Sequence, residues 1–239
     1  MTELLFRTDA YLETTRARVA RINERGGIVL DRTPFYATSG GQPGDAGSLA
    51  WATGGCAIAT AVYDADKATV VHVPAEGATT PPVGSDVTVT LDWDRRHRHM
   101  RMHTALHLLC ALVKFPVTGG QIGADESRLD FDIPEAGAID KDAIEADLNR
   151  LVGENHPVSE RWITDDELAA NPGLVRTMSV KPPMGSGRVR LVAIGADGAV
   201  DLQPCGGTHV RTTGEIGRLA ITKIEKKGKQ NRRLRLALA

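Results

Sequence analysis

The chain has 239 residues, 41% of them hydrophobic, 25% charged and 4% aromatic, with a formal net charge of −1. That is an ordinary globular composition, long enough for one large domain or two modest ones. It holds no apolar run near the roughly 20 residues of a membrane span, no basic-then-apolar leader at the N-terminus, and only Cys56, Cys110 and Cys205 as cysteines. Three thiols argue against a disulfide framework, and a reducing cytoplasm is expected.

Residues 1–92 read as β-rich. The runs at 26–31 (GGIVLD), 56–64 (CAIATAVYD) and 69–73 (TVVHV) are short and apolar, and Val87, Val89, Leu91 and Trp93 alternate with polar residues. Alternation is the period of a half-buried strand, and short strands at this spacing predict a small barrel or sandwich. Within this region FYATSGGQPGDAG (35–47) concentrates Gly40, Gly41, Gly44 and Gly47 among Thr38, Ser39, Gln42 and Asp45. It lacks the lysine of a P-loop and does not match GxGxxG, so it is no nucleotide cradle. It forms either the turns of a barrel or the wall of a polar pocket.

The pattern changes after residue 92. Residues 95–114 contain no Gly or Pro, and Met102, Leu106, Leu109 and Val113 form one helical stripe. A second helix is expected from its cap Asp140 to Gly153, and a short third over 164–171, capped by Thr164 with Glu167 three places on. Strands are expected at 128–133, 157–163, 188–194 and 216–224, and RLRLAL (233–238) has the alternation of an edge strand. Helices mixed with strands in no strict βαβ order predict an α+β second domain over 93–239, with an antiparallel sheet.

The charge is uneven. Residues 211–239 carry nine Lys/Arg and two acidic residues, and a second basic run, RRHRHMR, occupies 95–101. Such patches can hold phosphates on a chain that is nearly neutral overall. Two solvated surfaces are the plainer alternative.

Two short motifs carry chemistry. HTALH (103–107) places His103 and His107 four apart on a predicted helix, and CGGTH (205–209) supplies Cys205 and His209 from a glycine-containing segment. Imidazoles at that spacing share one helix face, and three nitrogens with one thiolate suit tetrahedral zinc. His99 and Cys110 extend the same helix row, so the helix offers four candidate ligands. The glutamate of HExxH proteases is absent, Thr104 standing in its place, and the gap from 107 to 205 is too long for a zinc finger.

The glycine-rich stretch, the HTALH helix, VTGGQIGADESRLDFD (117–132) and CGGTHVRTTGEIGRLAI (205–221) together resemble the editing half of alanyl-tRNA synthetases and the free-standing AlaX-type trans-editing proteins, in the family's order. The resemblance spans nearly the whole chain and fits the medium-length form. It implies a translation-factor-like N-terminal β-barrel over 1–92 and an α+β editing domain that holds one zinc ion through His103, His107, Cys205 and His209. It also implies hydrolysis of mischarged alanine tRNA, chiefly seryl and also glycyl. The glutamine that synthetases tend to place near residue 117 is here Gln121.

A site that hydrogen-bonds the serine hydroxyl can reject alanine by roughly 10⁴–10⁵-fold, because its buried polar groups would go unpaired. Thr38 is the first choice for that contact, with Gly40, Gly41, Gln42, Gln121, Gly206 and Thr208 as further substrate-binding candidates. Arg95, Arg96, Arg98, Lys226, Lys227, Lys229, Arg232 and Arg233 are the candidates for tRNA phosphates. Four protein ligands close a tetrahedral site, which favours an anchoring metal over one that activates water. A monomer is expected. A zinc-containing module that binds tRNA without hydrolysing it is the rival reading.

Overall fold

A computed structural model describes residues 2–134, 139–177 and 187–239. The chain forms two compact units, Met1–Arg98 and His99–Ala239. The division falls inside the first helix, whose Arg96 has a fully buried guanidinium bonded within the first unit.

The first unit contains β1 (Glu3–Leu4), β2 (Thr14–Ile22), β3 (Ile28–Leu30), β4 (Arg32–Thr33), β5 (Gly47–Trp51), β6 (Gly54–Tyr63), β7 (Val70–Pro74) and β8 (Asp86–Leu91). Six of these close into an antiparallel barrel in the order β2-β3-β7-β6-β5-β8. Ile28, Leu30, Phe35, Leu49, Ile58, Val70 and Val89 fill its interior. The sequence reading anticipates β3, β6, β7 and β8 and misses β2 and β5. In β2 the inward residues are the small Ala17 and Val19, set between Arg16, Arg18 and Arg21, so the apolar signal is weak.

The glycine-rich segment connects β4 to β5 and is built of turns. Ser39 and Gln42 exchange backbone hydrogen bonds of 3.1 and 2.8 Å around Gly40 and Gly41, whose φ values are +54° and +83°. Two successive left-handed residues make a type I′ turn, which glycine adopts without strain. A Cβ on Gly44 would lie 1.9 Å from the Ala61 carbonyl oxygen.

A buried histidine gives the barrel a pH dependence. His72 is fully buried, bonded to Thr33 Oγ1 at 2.7 Å and to the Ile28 carbonyl at 3.0 Å. Burial lowers its pKa from 6.5 to about 4, against the raising effect of the Ile28 contact. The unfolded chain therefore binds the proton first, and stability falls as pH drops from 6.5 towards 4, by about 3 kcal/mol across the window. Above pH 6.5 the histidine contributes no slope. Denaturant unfolding at pH 7 and pH 4.5, compared between the wild type and His72→Gln, should show a steeper loss in the wild type.

The second unit continues α1 (Trp93–Leu112) and adds β9 (Val117–Gln121), β10 (Glu126–Asp132), α2 (Lys141–Gly153), β11 (Val158–Thr164), α3 (Asp165–Ala170), β12 (Arg188–Ile194), β13 (Asp201–Pro204), β14 (Leu219–Lys226) and β15 (Asn231–Leu238). These strands form two antiparallel sheets, β14-β15-β10-β9 and β11-β12-β13. The architecture is α+β. The Asp140 side chain caps α2 by accepting from Asp142 N and Ala143 N, and Thr164 with Glu167 forms a capping box on α3.

Two expectations are corrected. The stripe on α1 predicts one inward face, but every residue from Met102 to Cys110 is buried, so this part of the helix is enclosed on all sides. The 233–238 segment is no edge strand. β15 lies between β14 and β10, because Leu234 and Leu236 enter the core while Arg233 and Arg235 meet Asp130, Glu126 and Glu225 on the neighbouring strands.

Candidate metal centre

Helix α1 sets His103 and His107 one turn apart, with ring centroids 5.4 Å from each other. Beyond β13 the chain turns through Cys205–His209 and brings the second pair against the first. One ligand atom from each of His103, His107, Cys205 and His209 lies within 4.8 Å of all the others. The Cys205 sulfur is 3.4 Å from His103 Nε2 and 3.3 Å from His209 Nε2. A tetrahedral ion with nitrogen ligands near 2.0–2.1 Å and sulfur near 2.3 Å gives N–S edges of about 3.5 Å. The donor set and its spacing therefore fit one tetrahedrally held cation. His99 and Cys110 lie outside this cluster. Burial, helped by the Asp201 charge, pushes the Cys110 thiol up to about 12, which keeps it protonated.

Outer contacts orient the ligands. Asp201 Oδ2 meets His107 Nδ1 at 2.9 Å, and Gln203 Nε2 donates to the same carboxylate oxygen at 2.8 Å. Thr104 Oγ1 lies 3.1 Å from His209 Nδ1 and donates to the Met100 carbonyl at 2.9 Å. Each contact occupies Nδ1 and leaves Nε2 for the centre, as metal-binding histidines require.

Electrostatics agree. Cys205 keeps a little exposed surface but is densely surrounded by protein, which alone would raise its pKa. The charges of His103 and His209 and hydrogen bonds from His103 and His107 outweigh this and hold the thiol well below 9.0. Burial and the neighbouring His103 charge lower His209. His107 moves the other way: burial lowers it, but Asp201 and the Cys205 sulfur raise it to about 10. Asp201 thus favours positive charge at His107, which a divalent ion supplies in place of the proton.

The turn is not held as the two glycines suggest. Neither Gly206 nor Gly207 has a left-handed backbone. Arg190 holds it instead: its buried guanidinium donates to the carbonyls of Cys205 at 2.8 Å and Gly207 at 2.9 Å, and pairs with Glu160. Gly207 N also reaches the Cys205 sulfur at 3.4 Å. Arg190→Gln should weaken metal affinity by about 10–100-fold, the usual effect of losing an outer partner. Chelator competition, and the thiolate-to-cobalt band of the cobalt-loaded protein, would report it. Unchanged affinity and spectrum would remove Arg190 from this role.

Comparisons with known proteins agree with this geometry. Residues 189–235 match the threonyl and alanyl tRNA synthetase second additional domain, and residues 9–95 match the class II (A) tRNA synthetases. Over its whole length the chain is 36% identical to the alanyl-tRNA editing protein AlaX-M of Methanosarcina acetivorans, covering 99% of it. The namesake from Saccharolobus solfataricus is 32% identical over 98% of each chain. This chain belongs to the AlaX-M family. It is also 37% identical, over 94% of its length, to the alanine–tRNA ligase of Pyrobaculum aerophilum, of which it spans 25%.

The remaining residues singled out in this AlaX-M family member fall in varied settings. Thr38 is exposed; its hydroxyl donates to the Ala61 carbonyl at 3.2 Å and accepts from Gly44 N at 2.9 Å, which leaves one lone pair. Gly40 and Gly41 make the tight turn, and Gln42 is fully buried. Gln121 is exposed on β9 and accepts from Arg128 at 3.4 Å. Thr208 is fully buried, whereas a Cβ on Gly206 would meet nothing within 4 Å.

Of the basic residues, Arg98, Lys226, Lys227 and Lys229 are exposed and Arg95 is half-buried. Arg96 is withdrawn as a phosphate contact: it is fully buried and bonded to Asp45, Ala10 and Pro34. Arg232 is buried against the carbonyls of Gly228 and Asn231, and Arg233 forms a two-pronged pair with Asp130, so both are committed within the sheet region. Sequence reasoning missed Asp201, Gln203 and Arg190. An arginine within the otherwise apolar run VRLVAI (189–194) was the available signal for the last.

Proposed function

We propose that this protein deacylates mischarged alanine tRNA, taking seryl and, second, glycyl esters, by attack of water on the aminoacyl ester. The single observation that carries this reading is the convergence of His103, His107, Cys205 and His209 within 4.8 Å, in a chain that matches alanyl-tRNA editing proteins end to end. We read the ion as zinc, one per chain. Bound there, zinc supplies a fixed positive charge beside the reacting ester. The ester is already activated, so the protein needs mainly to position it and a water molecule.

The barrel is read as translation-factor-like, which its six closed antiparallel strands support. Gly206, with open space over its Cα, leaves room for an ester beside Cys205. Exposed Lys226, Lys227, Lys229 and Arg98, with Arg95, are proposed for tRNA phosphates. The protein is taken to act as a cytoplasmic monomer. Among the described residues no helix is long and apolar enough to cross a membrane.

Thr38 is proposed as the residue that senses the serine hydroxyl through its remaining lone pair. Deacylation of seryl-, glycyl- and alanyl-charged alanine tRNA tests the reading: seryl ester should be hydrolysed and alanyl ester spared. Binding of all three without hydrolysis would overturn it in favour of a tRNA-binding module. Thr38→Val should cut the preference for the seryl ester by up to about tenfold, the effect of losing one hydrogen bond. Unchanged selectivity would exclude Thr38 from that role.

A further inference from the structure

We propose that Trp162 is a stacking platform for an unpaired base at the acylated end of the RNA. The inference takes its RNA from the deacylase reading above. Its structural basis is the register of the β11-β12-β13 sheet. Trp162 lies directly opposite Arg190, Val192 opposite Gln203, and Ile194 opposite Asp201. Side chains alternate along a strand and directly opposed residues share a face. Trp162, Arg190, Gln203 and Asp201 therefore stand on one face of the sheet.

That face supports the metal centre. Asp201 orients His107, Gln203 bonds Asp201, and Arg190 holds the carbonyls of Cys205 and Gly207. From β13 the same face runs across β12 to β11. Neighbouring strands are about 4.8 Å apart and Gln203 lies opposite Val192, two residues along from Arg190, so Trp162 stands about 12 Å from Gln203. Arg190, Val192 and Gln203 are themselves buried, so in this proposal the RNA reaches the indole past the outer strand β11 rather than across the sheet face.

The chemistry of the surface fits a nucleobase. Trp162 is 46% exposed, and among the described residues the other exposed large hydrophobic is Val83. Its neighbours along the strand on that face, Glu160 and Thr164, are exposed and polar, so the indole is an isolated aromatic surface rather than part of a core. Glu160, on the same face, is neutralised by Arg190. Exposed Arg188, opposite Thr164, adds positive charge there. A cation beside an open aromatic plane is the pattern by which proteins take single-stranded nucleic acid without reading its sequence.

The test compares two RNAs: uncharged alanine tRNA with its unpaired 3′ nucleotides, and the same tRNA trimmed of them. The full-length wild type should bind the intact RNA more tightly and show quenched tryptophan fluorescence. Trp162→Ala should lose about tenfold in affinity for the intact RNA and none for the trimmed one, whereas Trp162→Phe should stay near wild type. With seryl-tRNA, Trp162→Ala should raise KM with kcat little changed. Equal losses for both RNAs would overturn the proposal, as would a wild type that does not distinguish them. A change of oligomeric state in Trp162→Ala with RNA binding intact would overturn it too, in favour of a protein contact. If Trp162 binds the 3′ end but no ester is hydrolysed, the platform stands and the deacylase reading fails.

Discussion

His107→Ala should abolish tight metal binding and reduce seryl-tRNA deacylation by about 10²-fold or more, since even the loss of an outer partner costs 10–100-fold in affinity or activity. The substitution removes one of four converging donors. It also takes from Asp201, which is 2% exposed, the histidine that its Oδ2 meets. Asp201 Oδ1 has no hydrogen-bond partner, so the carboxylate would keep only Gln203. Metal content, chelator competition and melting temperature measure the outcome. The variant should melt where the chelated wild type does, or below it, and added metal should not raise its melting temperature. Asp201→Asn keeps an acceptor and should lose only about 10–100-fold in metal affinity. An alanine variant that held metal as tightly as the wild type would remove His107 from the ligand set.

Asp45→Ala should destabilise the first unit by about 3–5 kcal/mol, the range for stripping one partner from a buried ion pair. The Arg96 and Asp45 side chains are 0% and 1% exposed. Asp45 also accepts from Tyr36 N at 2.6 Å, and Arg96 spends its other donors on Ala10 and Pro34 carbonyls at 2.8 and 2.6 Å. Without Asp45 a guanidinium stays buried and charged, with two carbonyls as its main acceptors. The double variant Asp45→Leu/Arg96→Met should recover much of the loss, because a buried pair contributes little net stability over apolar residues. Denaturant unfolding of both variants measures this. A near-neutral Asp45→Ala would show that water reaches Arg96 after all.

The two predictions also separate what could be read along the chain from what could not. The caps Asp140 and Thr164, the strands β6, β7, β8 and β12, and the helix bearing HTALH follow from local pattern. Capping needs an acceptor within three residues, and strand and helix periods repeat every two or about four. The His/His/Cys/His set was legible because each half carries its own spacing and the chemistry names a shared partner. Strand β2 escaped notice because its inward Ala17 and Val19 sit among arginines, and β5 because its five residues bring only Leu49 fully into the core.

Arginines expose the limit of one-dimensional reading most clearly. RRHRHMR and RRLRLAL read alike as basic runs, yet Arg98 is exposed, Arg96 is sealed against Asp45, and Arg233 is bound to Asp130. The partners lie 51 and 103 residues away. Local sequence determined which residues could cap, alternate or bind metal, since those properties depend on neighbours a few positions apart. Which arginine meets a carboxylate, that Asp201 steers His107, and that Trp162 shares their sheet face depend on long-range pairing. Hydrogen-bond register and burial settle that pairing across the whole fold.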